Sequence, residues 1–218
     1  MAATSNFIKE NNIYFLGFLM VWLPSLVIAL LLDKVDVHLT IINYHHPFFD
    51  TLFIYITQIA ETWGILIFMV LSFLTKIKHG IIYLLSLGVA SGTTFLLKQT
   101  LFEDHLRPFE FLKDTTFHAV PGVDFHSYYS FPSGHTTAAF AMFTAMALCT
   151  KNKLLKLLYL FLAFITGYSR IYLSQHFLQD VVAGALIGLM AAVVVFKIFN
   201  RKAFNKANWL NYSILCKQ

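Results

Sequence analysis

Long apolar runs without polar alternation dominate this chain. Residues 13–32, "IYFLGFLMVWLPSLVIALLL", contain no acidic or basic side chain, and a helix needs about 20 apolar residues to cross a bilayer. Runs of the same kind recur at 80–97 and 181–196. The pattern predicts an all-α fold, a six-span transmembrane helical bundle. Its spans are expected at about 12–33, 51–75, 79–98, 133–150, 154–172 and 177–199.

The composition supports a membrane protein and excludes a water-soluble globule. The 218 residues are 58% apolar and 12% charged, whereas a soluble domain has about 45–50% and about 25%. No repeat, low-complexity tract or linker divides the chain, so one integral membrane domain is predicted over residues 1–218, with a core at about 40–195 and a cytoplasmic tail at 200–218. The first apolar run exceeds the roughly 7–15 residues of a signal peptide and lacks a small-residue cleavage motif, so it is expected to remain as a span.

The lysines and arginines predict the orientation. With six spans, eleven of the sixteen fall on the side of both termini, which the positive-inside rule assigns to the cytoplasm. We therefore predict a multi-pass protein of the cytoplasmic (inner) membrane, and its net charge of +5 requires no nucleic acid partner. Cys149 and Cys216 fall on the reducing side and predict no disulfide. Five basic residues remain outside: Lys34, Lys98, Arg107, Lys113 and Arg170.

Polar residues collect at the outer ends of the predicted spans. A long outer loop, at about 99–132, joins spans three and four and is rich in acids, histidines and aromatics. Three clusters lie at the boundary: Lys98 with Arg107-Pro108, "PSGH" at 132–135, and "SRIYLSQHFLQD" at 169–180. Ionisable groups at membrane depth are costly unless paired, so these clusters are candidates for a functional site.

All three clusters contribute residues with the chemistry of an anion site. Ser133 is a typical N-cap residue, which would place Gly134 in a first helical turn whose free N–H groups attract an anion, and glycine allows close approach. Lys98, Arg107 and Arg170 would add positive charge, and the arginine fork matches phosphate oxygens.

The third cluster supplies a nucleophile. His176 and Asp180 are four residues apart and share a helix face, so the carboxylate can hold one imidazole nitrogen and leave the other free to attack. His135 remains as a proton donor for a leaving group. Together the clusters predict a phosphoryl-transfer site.

The motifs resemble those of the type-2 phosphatidic acid phosphatase family, which shares its catalytic core with vanadium haloperoxidases. "PSGH" is complete, and the third motif matches in full, with five residues between Arg170 and His176 and three between His176 and Asp180. The first motif departs, because eight residues separate Lys98 from Arg107-Pro108 where the family has six. The departure puts the family role of Lys98 in question. The resemblance covers about residues 40–195.

The resemblance implies a role for each candidate residue. His176 would attack phosphorus and form a phosphohistidine, Asp180 would orient it, and His135 would protonate the leaving group. The transition state would be stabilised by Lys98, Arg107, Ser133, Gly134 and Arg170. The family needs no metal or cofactor. The implied partners are membrane lipids and a lipid substrate at the outer, periplasmic face: undecaprenyl diphosphate, phosphatidylglycerophosphate, phosphatidate or a lipid A phosphate.

Other interpretations remain. The shared anion cradle allows a vanadate-dependent haloperoxidase, and His135, His176 and Asp180 could hold a metal, although three nearby cations would repel it. A transporter could use Glu61 in a proton relay, in which case Glu61 is essential and His176 dispensable. Gly184 and Gly188 form a GxxxG step that predicts close helix packing.

Overall fold

The computed structural model describes residues 2–200 and 208–213, and all the regular structure in this part of the chain is helical. This confirms the all-α prediction. Cys216 and the basic residues of the tail beyond residue 200 lie outside the described residues. The α-helices are α1 (Ala2–Leu31), α2 (Lys34–Ile42), α3 (Pro47–Thr57), α4 (Thr62–Thr75), α5 (Ile77–Thr100), α6 (Pro108–Phe111), α7 (Gly134–Cys149), α8 (Lys153–Tyr172) and α9 (Leu178–Phe199).

Four described helices are long and apolar enough to cross a membrane: α1, counted from Asn6, and α5, α8 and α9. The pair α3 and α4 makes a fifth candidate if its two bent parts form one span. The predicted count of six therefore depends on α7, which has 16 residues. This helix is short for the roughly 30 Å hydrocarbon core, because each residue adds about 1.5 Å.

The second predicted span is broken in the middle. Within residues 51–75, α3 ends at Thr57, a 3-10 turn follows at Gln58–Ala60, and Glu61 adopts an extended backbone before α4 begins. The two helix axes differ by 54°. Gly64 permits the bend, because a Cβ atom there would lie 2.3 Å from the carbonyl oxygen of Ile59. The break places Glu61 beside the start of α7, where its carboxylate approaches His135.

The centre of the bundle is α7, which packs against α5, α8 and α9. Small side chains such as Ala139 and Ala145 are almost fully buried along it. Small residues let helix backbones approach closely in membranes. On the facing side of α9, Gly184 and Gly188 lie against Ser133 and Thr137 of this helix region, as the GxxxG spacing predicts.

We expect Gly188→Ala to destabilise the bundle. The added Cβ would lie 2.4 Å from the carbonyl oxygen of Thr137 and 2.8 Å from the amide nitrogen of Ala141. These are backbone atoms, so the clash cannot be relieved by rotating a side chain. Overpacking of this kind costs about 1–3 kcal/mol, which thermal unfolding in detergent will measure. Gly88→Ala on α5 is the control, because a Cβ there meets nothing within 4 Å. An equal effect of both substitutions would contradict close α7–α9 packing as the cause.

Candidate active site

The three sequence clusters converge at one end of the bundle. This end comprises the start of α7, the turn between α8 and α9, and the last turn of α5 with the segment that follows it. His176 interacts electrostatically with Arg107, Arg170, Lys98 and His135. The two histidines therefore share one compartment, as a phosphate site between them requires.

The turn between α8 and α9 is fixed by its own backbone. The amides of Gln175 and His176 both donate to the carbonyl oxygen of Arg170, at 2.9 and 3.1 Å. Ser174, which directly precedes them, has φ of 52°, a left-handed conformation that is uncommon outside glycine. Its hydroxyl lies 3.2 Å from Nε2 of His38, a buried residue of α2. These contacts hold His176 in a defined position.

The His176 and Asp180 side chains are both buried and face each other. Their Nδ1 and Oδ2 atoms are 3.4 Å apart, which is close but too long for a well-formed hydrogen bond. The same carboxylate oxygen accepts from the Ser130 hydroxyl at 2.6 Å and the Phe177 amide at 3.0 Å, so it is firmly placed. Because Nδ1 faces Asp180, Nε2 is the nitrogen left for attack.

The surroundings of His176 keep its imidazole neutral. Burial lowers the pKa of His176 well below its usual value, and the positive charges of Arg107 and Arg170 lower it further. A nucleophilic imidazole must be unprotonated. Since the pKa is lowered, protonation of His176 should limit the reaction only at a pH well below 6.5.

The two arginines are held by one glutamine. Gln175 Oε1 accepts from Arg107 at 3.1 Å and from Arg170 at 3.4 Å. Arg170 also donates to Thr57 Oγ1 at 2.5 Å, whereas its Nε has no partner and is fully buried. An unpaired buried donor is costly, so this nitrogen is a natural contact for a bound anion.

Lys98 lies on the last turn of α5, near the other cations. It interacts electrostatically with Arg107, Asp180 and Arg170. The two extra residues of the first motif therefore leave Lys98 at the same end of the bundle as the remaining candidates.

The start of α7 is open to an anion. Ser133 occupies the N-cap position as predicted, but its side chain makes no capping hydrogen bond. Its hydroxyl instead accepts from Thr136 Oγ1 at 2.9 Å. A Cβ atom on Gly134 would meet nothing within 4 Å. The space beside Gly134 is therefore open, and the first amides of the helix remain available to an anion.

His135 faces a polar cavity of about 380 Å³. Its Nε2 lies 3.3 Å from Oε1 of Glu61, which comes from the break between α3 and α4. Arg107 and Arg170 line the same cavity, as do Asp124 and other residues of the segment between α6 and α7. Glu61, which the sequence offered as a possible proton relay, therefore has the candidate acid itself as its partner.

We expect Glu61→Gln to alter the pH dependence of the reaction. A carboxylate beside an imidazole stabilises the protonated form, which a general acid requires. The amide keeps the shape and removes the charge, so the alkaline limb of the rate profile should move to lower pH, with kcat/KM falling by about tenfold near neutrality. Initial rates across a pH series will measure both effects.

The matched control is Gln58→Ala, which alters the same cavity wall without removing a charge near His135. An unchanged pH profile in Glu61→Gln would mean that Glu61 only lines the cavity. Complete loss in Glu61→Gln, with activity retained in a His176 variant, would instead support the proton-relay interpretation.

A possible metal-ligand group in the described part of the chain lies apart from the catalytic candidates. It consists of His45, Asp50 and His118, with ligand atoms within 4.8 Å of one another. The His45 and His118 rings stack in parallel, with centroids 3.6 Å apart and an angle of 5°. Parallel rings cannot both direct a nitrogen lone pair at one ion, so a metal would require one ring to turn. His118 and Tyr172 already donate to Asp50, at 2.9 and 2.6 Å.

Sequence reasoning missed three residues of the site: Thr57, Ser130 and Gln175. It named Glu61, but as a possible proton relay rather than as a neighbour of His135. Gln175 directly precedes His176, so its position within the third motif was a usable signal. Thr57 and Glu61 come from another helix pair, and only the bend at Gly64 brings them to the cluster.

The fold and the cluster define an all-helical, multi-pass membrane protein with cations, histidines and a carboxylate at one end of the bundle. The model of the PAP2 superfamily matches residues 79–204, which is more than half of the chain. The chain belongs to the PAP2 superfamily, which confirms the resemblance drawn from the motifs.

Named relatives agree with this assignment. The chain is similar to the lipid A 4'-phosphatase of Porphyromonas gingivalis, with 28% identity over 82% of this chain and 76% of the relative. Its structure is similar to that of LpxE from Aquifex aeolicus, with a TM-score of 0.66 and 25% identity over 74% of this chain and 93% of the other. The same TM-score relates it to a phosphatidylglycerolphosphate phosphatase from Bacillus subtilis, at 24% identity over 89% and 98% of the two chains; this likeness concerns the fold alone.

Proposed function

We propose that this chain is a lipid phosphatase that removes phosphate from a lipid phosphate or diphosphate, with His176 as the nucleophile. The observation that carries the proposal is the pairing of buried His176 with Asp180 amid the charges of Arg107, Arg170 and Lys98. A neutral imidazole next to three cations suits attack on a phosphorus atom whose oxygens those cations neutralise.

The reaction would run in two steps. The Nε2 lone pair of His176 attacks phosphorus, the bond from phosphorus to the lipid-side oxygen breaks, and His135 gives that oxygen a proton. Water then attacks the phosphohistidine, the P–N bond breaks, and His176 and inorganic phosphate are released, with His135 taking the proton from the water. The Arg170 Nε and the free amides around Gly134 would bind the phosphoryl oxygens.

The arrangement of the bundle favours a substrate that stays in the membrane. The cluster lies at the ends of α5, α8 and α9, three candidate spans, so a headgroup can enter while its tail remains in lipid. We place the site on the outer face of the cytoplasmic membrane, with six spans that include α7 and with both termini inside. The lysines Lys76, Lys78, Lys151, Lys153 and Lys156 line a cavity at the opposite end, which suits the cytoplasmic side.

Among lipid phosphates, we propose a lipid A phosphate as the first candidate. The similarity to the lipid A 4'-phosphatase of P. gingivalis extends over 82% of this chain, and undecaprenyl diphosphate is the next candidate. Phosphatidylglycerophosphate and phosphatidate carry phosphate groups that the same cations could bind.

Phosphate release from a substrate panel tests the proposal. Purified protein would be incubated with each of the four lipids in mixed micelles, with and without EDTA. We expect release from at least one lipid, with a lipid A phosphate giving the highest kcat/KM. Loss of activity on adding chelator would contradict the metal-free mechanism, and absence of release from all four lipids would contradict the proposed function. A higher kcat/KM for another lipid would reject the lipid A assignment alone.

A further inference from the structure

The end of the bundle opposite the catalytic cluster contains a second, strongly basic cavity. Its volume is about 530 Å³, and it lies between the start of α1, the α4–α5 connection, the α7–α8 connection and the end of α9. Six lysines and one acid, Glu10, are among its described lining residues. The lysines are Lys9, Lys76, Lys78, Lys151, Lys153 and Lys156. An excess of positive charge of this size in one cavity favours an anionic ligand.

One of these lysines is buried and forms hydrogen bonds only with neutral groups. Lys156 is 2% exposed, and its ammonium donates to Asn11 Oδ1 and to the carbonyl oxygen of Ala147. Both partners are neutral, and no described carboxylate forms an ion pair with it. Glu10 interacts with Lys156 electrostatically without pairing with it directly. Burying a cation without a direct ion-pair partner is unfavourable, and an anion in the cavity would relieve that cost.

A largely apolar cavity of about 570 Å³ adjoins the basic one. Four residues line both: His79, Cys149, Thr150 and Lys151. The remainder of the second cavity runs along α4, α7 and α8 and is lined by side chains such as Phe68, Leu71, Met146 and Leu158. The basic cavity and the apolar cavity therefore meet at Lys151.

We propose that the two cavities together bind an anionic diacyl phospholipid, with the phosphodiester headgroup among the lysines and an acyl chain along the apolar cavity. A soluble anion would use only the first cavity, and a neutral lipid would leave the lysines unmatched. Basic pockets between membrane helices on the cytoplasmic side are suited to anionic headgroups. This site is separate from the catalytic cluster, and the inference does not depend on the phosphatase activity.

Thermal unfolding of the purified full chain in a neutral detergent tests the proposal. Phosphatidylglycerol should raise Tm by about 3 °C or more, because a ligand that binds only the folded state stabilises it. Phosphatidylcholine and glycerol phosphate should each give a much smaller rise. Native mass spectrometry should detect one phosphatidylglycerol retained per chain. An equal rise with phosphatidylcholine would overturn the charge argument, and an equal rise with glycerol phosphate would overturn the acyl-chain argument.

Matched variants locate the site. Lys151→Gln, alone and combined with Lys153→Gln, should abolish most of the Tm rise and the retained lipid. Both side chains are exposed, so these variants should fold and keep the wild-type turnover in detergent. Lys197→Gln is the control, since this exposed lysine lies near the same end of α9, over the ring of Phe7, and is not among the described lining residues. If Lys197→Gln reduces lipid binding as much as Lys151→Gln does, the attraction is a diffuse property of the basic surface and the proposed site is wrong.

Discussion

Replacing His176 with alanine is expected to lower kcat by at least about 10⁴-fold, the scale seen when a nucleophile is removed from an enzyme that forms a covalent intermediate. The substitution deletes the atom that bonds to phosphorus. Its neighbours, including Asp180, cannot replace that bond. Phosphate release from the best lipid of the panel will measure the loss. Brief incubation with a radiolabelled substrate, followed by denaturation, should trap a phosphoenzyme in the wild type and none in the variant.

The matched control for this experiment is His79→Ala. His79 lines the cavities at the opposite end of the bundle, so its removal tests whether loss of any partly buried histidine inactivates the protein. We expect near-wild-type turnover. If His176→Ala retains more than a tenth of the wild-type kcat while keeping the wild-type Tm, another group is the nucleophile.

Replacing Arg170 with glutamine is expected to lower kcat/KM by about 10²–10³-fold, the usual effect of removing one donor that stabilises transition-state charge. Arg170 is 6% exposed, and its Nε has no protein partner. The substitution should also weaken inhibition by vanadate, an analogue of the transition state. Arg170→Lys should recover only part of the activity, because an ammonium keeps the charge but not the planar fork.

Lys113→Gln serves as the control for the loss of positive charge. Lys113 is exposed and pairs with Glu110, so its removal lowers the net charge by the same amount without touching the cluster. We expect its kcat/KM to match the wild type. Equal losses in the two variants would assign the effect to long-range attraction of the anionic lipid, whereas wild-type kcat/KM in Arg170→Gln would exclude contact with the phosphoryl group.

The sequence was sufficient to predict the helical class and the group of residues at the site. The spacing correctly predicted that His176 and Asp180 would be neighbours, and three separate motifs at the same expected depth predicted their convergence. The expected shared helix face was wrong, because His176 lies in the turn before α9, which begins at Leu178. Both predictions rest on short stretches of sequence: the length of the apolar runs indicates helices, and the order of the motifs indicates the group of site residues. The roles of these residues stay predictions until the variants are measured.

The sequence was not sufficient for features that arise between helices. The mainly apolar pattern at 51–75 does not reveal the 54° break, because the bend depends on Gly64 packing against the carbonyl group of Ile59, five residues earlier in the chain. The contact between Glu61 and His135 follows from that break. Similarly, the capping chemistry of Ser133 was inferred from residue type, but its hydroxyl bonds to Thr136 instead.

Because α7 is buried, the position of the histidine near its start does not depend directly on the thickness of the membrane. Twelve of its sixteen residues are buried, so neighbouring helices rather than lipid surround it. Hydrophobic mismatch acts on surfaces that touch acyl chains, and the exposed apolar side chains belong chiefly to α1, α4, α5 and the outward sides of α8 and α9. Adaptation to a thinner or thicker bilayer would therefore change the sequence of these outer helices. The sequence of α7, including the histidine at its start, could stay the same in membranes of different thickness.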